Sequence, residues 1–252
     1  MVAIRSEREL KKITESSRIV AETLDFLEEK IVKGVNGKEL DKIAEDYIHS
    51  RNAEPAFKGY MGYPATLCIS VNDEVVHGIP NDTPFKDGDI VGIDCGVLKN
   101  GYFGDHARTY MIGNVSKEIQ DLVDATRTSL RIGIDQAKAG NYVSDIGHAI
   151  QSYVEEKGYS VVRELVGHGI GRNLHEDPQI PNYGEPGRGL KLKSGMCIAI
   201  EPMINLGEKE IYTKPNGWTI CTKDGKPSAH FEHTIVITEQ GGKILSNGTL
   251  TG

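Results

Sequence analysis

The sequence has 252 residues, 38% of them hydrophobic and 26% charged, the balance of a globular chain rather than a disordered or fibrous one. Lysine and arginine number 29 against 36 acids, a net charge of −7 that argues against a broad nucleic-acid face and so against a DNA partner. No run of 18 apolar residues occurs, Met1–Lys12 lacks the apolar stretch of a signal peptide, and Cys68, Cys95, Cys197 and Cys221 lie far apart with no C-x-x-C pair; these features predict a reduced, cytoplasmic chain without a membrane span.

The chain opens on a helix. Ser6-x-x-Glu9 is a capping-box pattern, and Leu10, Ile13, Ile19, Val20, Leu24 and Leu27 recur near helical period. A second helix is predicted from about Lys38 to Arg51. Short β runs follow at Cys68–Val71, Val75–Ile79, Ile90–Leu98 and Tyr102–Ile112. Helical patterns return at Lys117–Ala137 and Val143–Lys157, and strands at Tyr159–Leu165, Met196–Ile200, Trp218–Thr222 and Phe231–Thr238. Helices then strands, twice over, predict an α+β fold built from a duplicated unit. The segment Lys86–Asp94 aligns without gaps on Lys193–Glu201, both ending in a carboxylate after isoleucine, and Gly104-Asp105-His106 echoes Phe231-Glu232-His233 more weakly. With no clear linker, residues 1–252 are expected to form one domain of two pseudo-symmetric halves, about 1–115 and 116–252.

Asn100-Gly101 is a two-residue hairpin signal. It pairs Lys99 with Tyr102 and places Asp105 opposite Gly96, so that Asp94 and Asp105 project from one face as diagonal neighbours, roughly 7–8 Å apart at Cα. Two carboxylates there repel one another unless a proton or cation lies between them. The second half is expected to repeat the arrangement with Glu201, at a strand end before Pro202, and Glu232. His168, within Gly167-His-Gly-Ile-Gly171, is the most exposed candidate nitrogen ligand. Four carboxylates and one imidazole suit two divalent ions. His106 and His233 are expected to face away from them; His49, His148 and His230 carry no signal.

These segments resemble the type I methionine aminopeptidases of the pita-bread superfamily. The likeness rests on Cys68–Pro80, Gly88–Asp94, Asn100–Asp105, Gly167–Arg172, Leu174–Pro178, Ala199–Pro202 and Phe231–Thr234, and runs over nearly the whole chain. It implies a sheet carrying helices on its outer face and metal ligands at Asp94, Asp105, His168, Glu201 and Glu232, with Asp105 and Glu232 bridging two divalent ions (Co, Mn, Fe or Zn). It further implies hydrolysis after an N-terminal methionine when the second residue is small, on nascent polypeptides; a monomer with transient ribosome association is expected. Glu201 is then the proton shuttle, His175 stabilises the oxyanion, His77 contacts the peptide beside the cut, and Tyr60, Tyr63, Cys68 and Trp218 match positions of the methionine pocket. An X-Pro peptidase shares the metal set but usually carries a large N-terminal domain, for which Asp94 lies too early. A metal-free binding relative leaves the complete ligand set unexplained, and an unrelated hydrolase such as a phosphatase leaves His77 and His175 unexplained.

Overall fold

The computed structural model of the chain describes residues 2–247; Met1 and 248–252, the ends of the expected single unit, lie outside the described residues. Helix α1, Glu7–Glu28, starts where the sequence signals it. The Ser6 side chain accepts the Glu9 N–H and the Glu9 carboxylate accepts the Ser6 N–H, satisfying donors that a helix start leaves open. Its buried stripe of Ile13, Val20, Leu24 and Leu27 packs with α2, Gly37–Ser50, over the first-half sheet.

That half contains β1 (Glu54–Pro55), β2 (Leu67–Val71), β3 (Glu74–Val76), β4 (Ile90–Lys99) and β5 (Tyr102–Met111). β4 is central, pairing β1, β2 and β5. The hairpin register is the one the turn predicts: Lys99 opposes Tyr102 and Gly96 opposes Asp105. Helix α1 lies so close to β5 that a Cβ on Gly104 would sit 2.4 Å from the Ser17 nitrogen, so only glycine lets helix and strand meet there.

The second half carries α3 (Lys117–Gln136) and α4 (Val143–Glu156), then β6 (Ser160–Val161), β7 (Gly167–Gly169), β8 (Glu176–Ile180), β9 (Cys197–Ile200) and β10 (Met203–Asn205). It ends with β11 (Ile211–Thr213), β12 (Ile220–Thr222), β13 (Ser228–His230), β14 (His233–Ile237) and β15 (Gly242–Ile244). Its main sheet runs β15-β14-β9-β7-β8, so β7-β9-β14 repeats the order β2-β4-β5 of the first half. The strands pair antiparallel throughout, as the α+β expectation requires. Several are shorter than predicted: Tyr159–Leu165 contracts to β6, Trp218 lies outside β12, and Glu232 precedes β14.

Two buried apolar clusters reflect the two halves. One joins Leu24, Leu40, Ile48, Ile69 and Ile93; the other joins Leu130, Ile146, Ile150, Ile198 and Ile235. A third draws on both, with Tyr63 and Cys68 beside Ile170, Leu174 and Cys197. No helix among the described residues is long and apolar enough to cross a membrane.

Candidate metal centre

The halves meet edge to edge at the carboxylates. Glu232 donates its backbone N–H to the Ala107 carbonyl of β5 at 3.0 Å, and Asp105 donates its own to Thr234 Oγ1 of β14 at 3.0 Å. These bonds bring Asp105 beside Glu232, and His168 joins them from β7. Ligand atoms of Asp105, His168 and Glu232 all lie within 4.8 Å of one another, and all three residues are buried.

Asp94 and Glu201 complete the group, with different geometry in the two halves. Asp94 sits inside a continuous ladder, diagonal to Asp105 and opposite Cys68. Glu201 and Glu232 each lie one residue beyond the last pair of their ladder, Ile200 with His233. Pro202 follows Glu201 and has no N–H to continue the ladder. The second acidic pair therefore occupies a strand end rather than repeating the first.

The electrostatics suit cations. Burial, with Glu201 adding to it, raises the Asp94 carboxyl to about 7 against the opposing pull of His230. Burial and then the charges of Asp94 and Glu201 push Asp105 well above its usual range, and burial followed by Asp105, Glu201 and Asp94 does the same to Glu232. Only Glu201 is held low: burial opposes its charge, but the imidazoles of His230, His168 and His77 outweigh that cost. Asp94 Oδ1 and Glu232 Oε1 are buried without a hydrogen-bond partner among the described residues, which is expensive unless something cationic occupies the space they face. Oxygen-rich donors with one imidazole fit hard or borderline divalent ions.

His168 is not the most exposed candidate nitrogen ligand, as the sequence suggested, but is 7% exposed, because β7 pairs both β8 and β9. Its Nδ1 lies 2.9 Å from the Gly169 carbonyl; a proton there leaves the Nε2 lone pair free for a metal. Its ring centroid is 4.2 Å from that of His175. His175 Nδ1 lies 2.9 Å from the Tyr60 hydroxyl, so a hydroxyl donating to Nδ1 fixes the tautomer with its proton on Nε2. Partial desolvation, then the neighbouring His168, lowers His175 to about 4 and keeps it neutral.

His77 has φ +58°, a left-handed conformation that a non-glycine residue keeps only where its surroundings hold it. The next residue does much of the holding: a Cβ on Gly78 would lie 2.1 Å from the Ile69 carbonyl oxygen, and the Gly78 carbonyl accepts from Ile69 N–H at 2.8 Å. Tyr63 Oη is also 2.8 Å from that carbonyl, and its ring meets Trp218 edge to face at 5.1 Å. Tyr60, Tyr63, Cys68 and Trp218 all belong to or pack on the third apolar cluster, Tyr63 and Cys68 buried and the other two half-buried.

His106 and His233 face away from the carboxylates as expected, stacked at 4.4 Å. Arg108 Nε donates to His106 Nε2 at 2.9 Å, so the proton of the neutral ring sits on Nδ1, which contacts the Glu232 carbonyl. A cavity of about 830 Å³ lies behind this pair, among Arg108, Arg131 and Phe231, and none of the five expected ligands lines it.

Two residues at the centre escaped the sequence reading. Asn182 donates to the Glu201 carbonyl at 3.0 Å, and His230 places Nε2 3.6 Å from Glu201 Oε2. Asn182 has no sequence signal. His230 had one, since period-two alternation puts it on the same side as Glu232.

The chain belongs to metallopeptidase family M24, which its residues 11–239 match. The fold is that family's pita-bread fold: a prolidase from Pyrococcus horikoshii superposes with a TM-score of 0.79 at 25% identity, covering 97% of this chain but only 63% of its own. Within the family the chain groups with the methionine aminopeptidases. It is 52% identical to methionine aminopeptidase 1 of Bacillus subtilis over 98% of this chain and 99% of that protein. The crystal structure of methionine aminopeptidase from Thermotoga maritima matches with a TM-score of 0.97 at 44% identity, covering 98% of this chain and 100% of that one.

Proposed function

We propose that this chain hydrolyses the peptide bond after an N-terminal methionine when the second residue is small, with Asp94, Asp105, His168, Glu201 and Glu232 holding two divalent ions. The observation that carries the reading is the buried cluster of Asp105, His168 and Glu232, flanked by Asp94 and Glu201, in a chain of family M24. Asp105 and Glu232, adjacent at the junction of the halves, would hold the ions together with Asp94, His168 and Glu201, and the donor set suits Co, Mn, Fe or Zn. When bound, such ions supply a water of lowered pKa and a Lewis acid for the scissile carbonyl.

The chain's own residues do the rest. Glu201, the one carboxylate of the set held low, accepts a proton from the attacking water and passes it to the leaving amine. Neutral His175, with Tyr60 on Nδ1, offers Nε2–H to the developing oxyanion. His77, on its held turn, contacts the peptide beside the cut. The substrate α-amine sits toward Asp94, which restricts cleavage to the chain's first residue. Tyr60, Tyr63, Cys68 and Trp218 line an apolar methionine pocket, where aromatic rings favour the thioether sulfur. On this reading the substrates are nascent polypeptides met in the cytoplasm by a monomer that touches the ribosome only transiently.

A peptide panel varying residues one and two, run with each metal separately, tests the reading. Release of methionine from Met-Ala-Ser, with Ala-Pro peptides left intact, is expected. No release with any metal overturns it, and preferential cleavage of Ala-Pro moves the chain to the X-Pro peptidases.

A further inference from the structure

We propose that His230 is a positioning residue of this centre, its imidazole holding one oxygen of Glu201 in the orientation from which that carboxylate accepts a proton. The role of Glu201 is that of the aminopeptidase reading above, on which this proposal rests.

His230 ends β13 and is 4% exposed. Its main chain is fixed from the opposite half, where the Thr109 hydroxyl of β5 accepts the His230 N–H at 2.9 Å and donates to the His230 carbonyl at 2.8 Å. Nε2 is buried, has no hydrogen-bond partner among the described residues, and lies 3.6 Å from Glu201 Oε2. The other oxygen, Oε1, lies 3.6 Å from Nε2 of His168. The two oxygens of Glu201 are thus divided between two imidazoles, one belonging to the expected ligand set and one outside it. The Glu201 main chain is already held by Asn182 at its carbonyl and by Pro202 after it, so the freedom that remains is rotation of the carboxylate. His230 is placed to remove it. A shift of about half an ångström brings Nε2–H and Oε2 within ordinary hydrogen-bond range, and burial makes an unpaired Nε2 costly.

The test compares wild type with His230→Ala, His230→Asn and His230→Gln, all checked for folding by circular dichroism. Two quantities are measured: kcat and KM on Met-Ala-Ser at saturating Mn(II), and Mn(II) affinity and stoichiometry by calorimetry. Loss of a group that orients a metal ligand typically costs about 10–100-fold in activity or affinity. His230→Ala is expected to lose that much kcat with KM within about threefold, and to bind Mn(II) more weakly with the number of ions unchanged. His230→Asn, too short to reach Oε2, behaves the same and substitutes for the alanine variant should that one not fold. His230→Gln, whose amide N–H reaches, recovers most of both losses. The proposal is overturned if His230→Gln is as impaired as the others, if kcat and affinity are unchanged throughout, or if one equivalent of metal disappears, which makes His230 a ligand. If wild type itself releases no methionine, the aminopeptidase reading falls, and the affinity series alone decides whether His230 orients Glu201.

Discussion

The hydroxyl of Thr234 accepts the backbone N–H of Asp105 at 3.0 Å and donates to the Asp105 carbonyl at 2.8 Å. Thr109 treats His230 in the same way from the other half. Each half thus uses one threonine to clamp both main-chain polar groups of a residue in its counterpart, and these bonds, with that from Glu232 to Ala107, close the seam on which the centre lies. Thr234→Val keeps the shape and removes both bonds while leaving a buried N–H and C=O unpaired. It is expected to cost about 2–4 kcal/mol, at ~1–2 kcal/mol per bond lost with its partner left buried. Urea unfolding measures it, and a loss below half a kcal/mol would show that the clamp is dispensable.

Glu201→Gln preserves volume but removes the proposed proton acceptor. Its kcat should fall by about 10²–10⁴-fold, the usual worth of general acid–base catalysis, with the fold intact by circular dichroism. An unchanged kcat removes Glu201 from the shuttle role.

Tyr60→Phe isolates the 2.9 Å contact to His175. The tautomer that donates from Nε2 is then no longer favoured, and kcat should drop by up to about tenfold, less than in His175→Ala. Because His175 is lowered to about 4, it stays neutral from pH 5 to 8. The pH–rate profile of His175→Gln should therefore keep the wild-type shape in that range at reduced amplitude. Disappearance of an acid limb near pH 6.5 in that variant contradicts a neutral His175.

Asp94 supplies a stability test whose sign depends on metal. In the metal-free protein its carboxyl is raised to about 7, whereas in the unfolded chain it titrates near 4. Its favourable contribution is full below about pH 4 and is lost as pH rises through about 7, because the unfolded state gives up a proton that the folded state retains. Asp94→Asn abolishes that loss. In chelator the variant should gain on wild type between pH 4.5 and 8, by a shift on the order of 3 kcal/mol. With Mn(II) present at pH 8 the ranking should invert, since the amide is a poorer ligand. A stability difference that does not change with pH in chelator would falsify the account.

The first acidic pair was readable because Asn100-Gly101 fixes a register and ten residues of uninterrupted pairing carry it to Asp94 and Asp105. The helices were readable from their caps and stripes. The second pair was only half readable: Glu201 and Glu232 were identifiable as acids of the repeat, but their place beyond the ladder depends on strands more than thirty residues apart in sequence and on where Pro202 stops them. Asn182 was silent because its importance comes from what it faces, and local periodicity does not carry that; alternation with Glu232 gave only the side of His230, not the Glu201 oxygen it faces. The buried position of His168 has the same origin, since it follows from neighbours on both sides of β7.

Removing metal should be felt throughout the fold. Ions that bind only the folded chain add RT ln(1 + [L]/Kd), about 2.7 kcal/mol at a hundredfold excess over Kd. A chelator should therefore lower the melting temperature of wild type at pH 8, and an unchanged melting point is incompatible with ligands drawn from both halves.

All four cysteines are buried and unpaired, so no covalent bridge joins the first half to the second. Asp94 and Asp105 come from one side of the seam, and His168, Glu201 and Glu232 from the other. An ion gripped by both sides is then a removable cross-link, one whose presence follows the surrounding metal supply instead of the redox state. Starvation for metal would not merely idle such an enzyme. It would also loosen the joint between its halves and expose the chain to proteolysis, tying the lifetime of the protein to the cofactor that makes it useful.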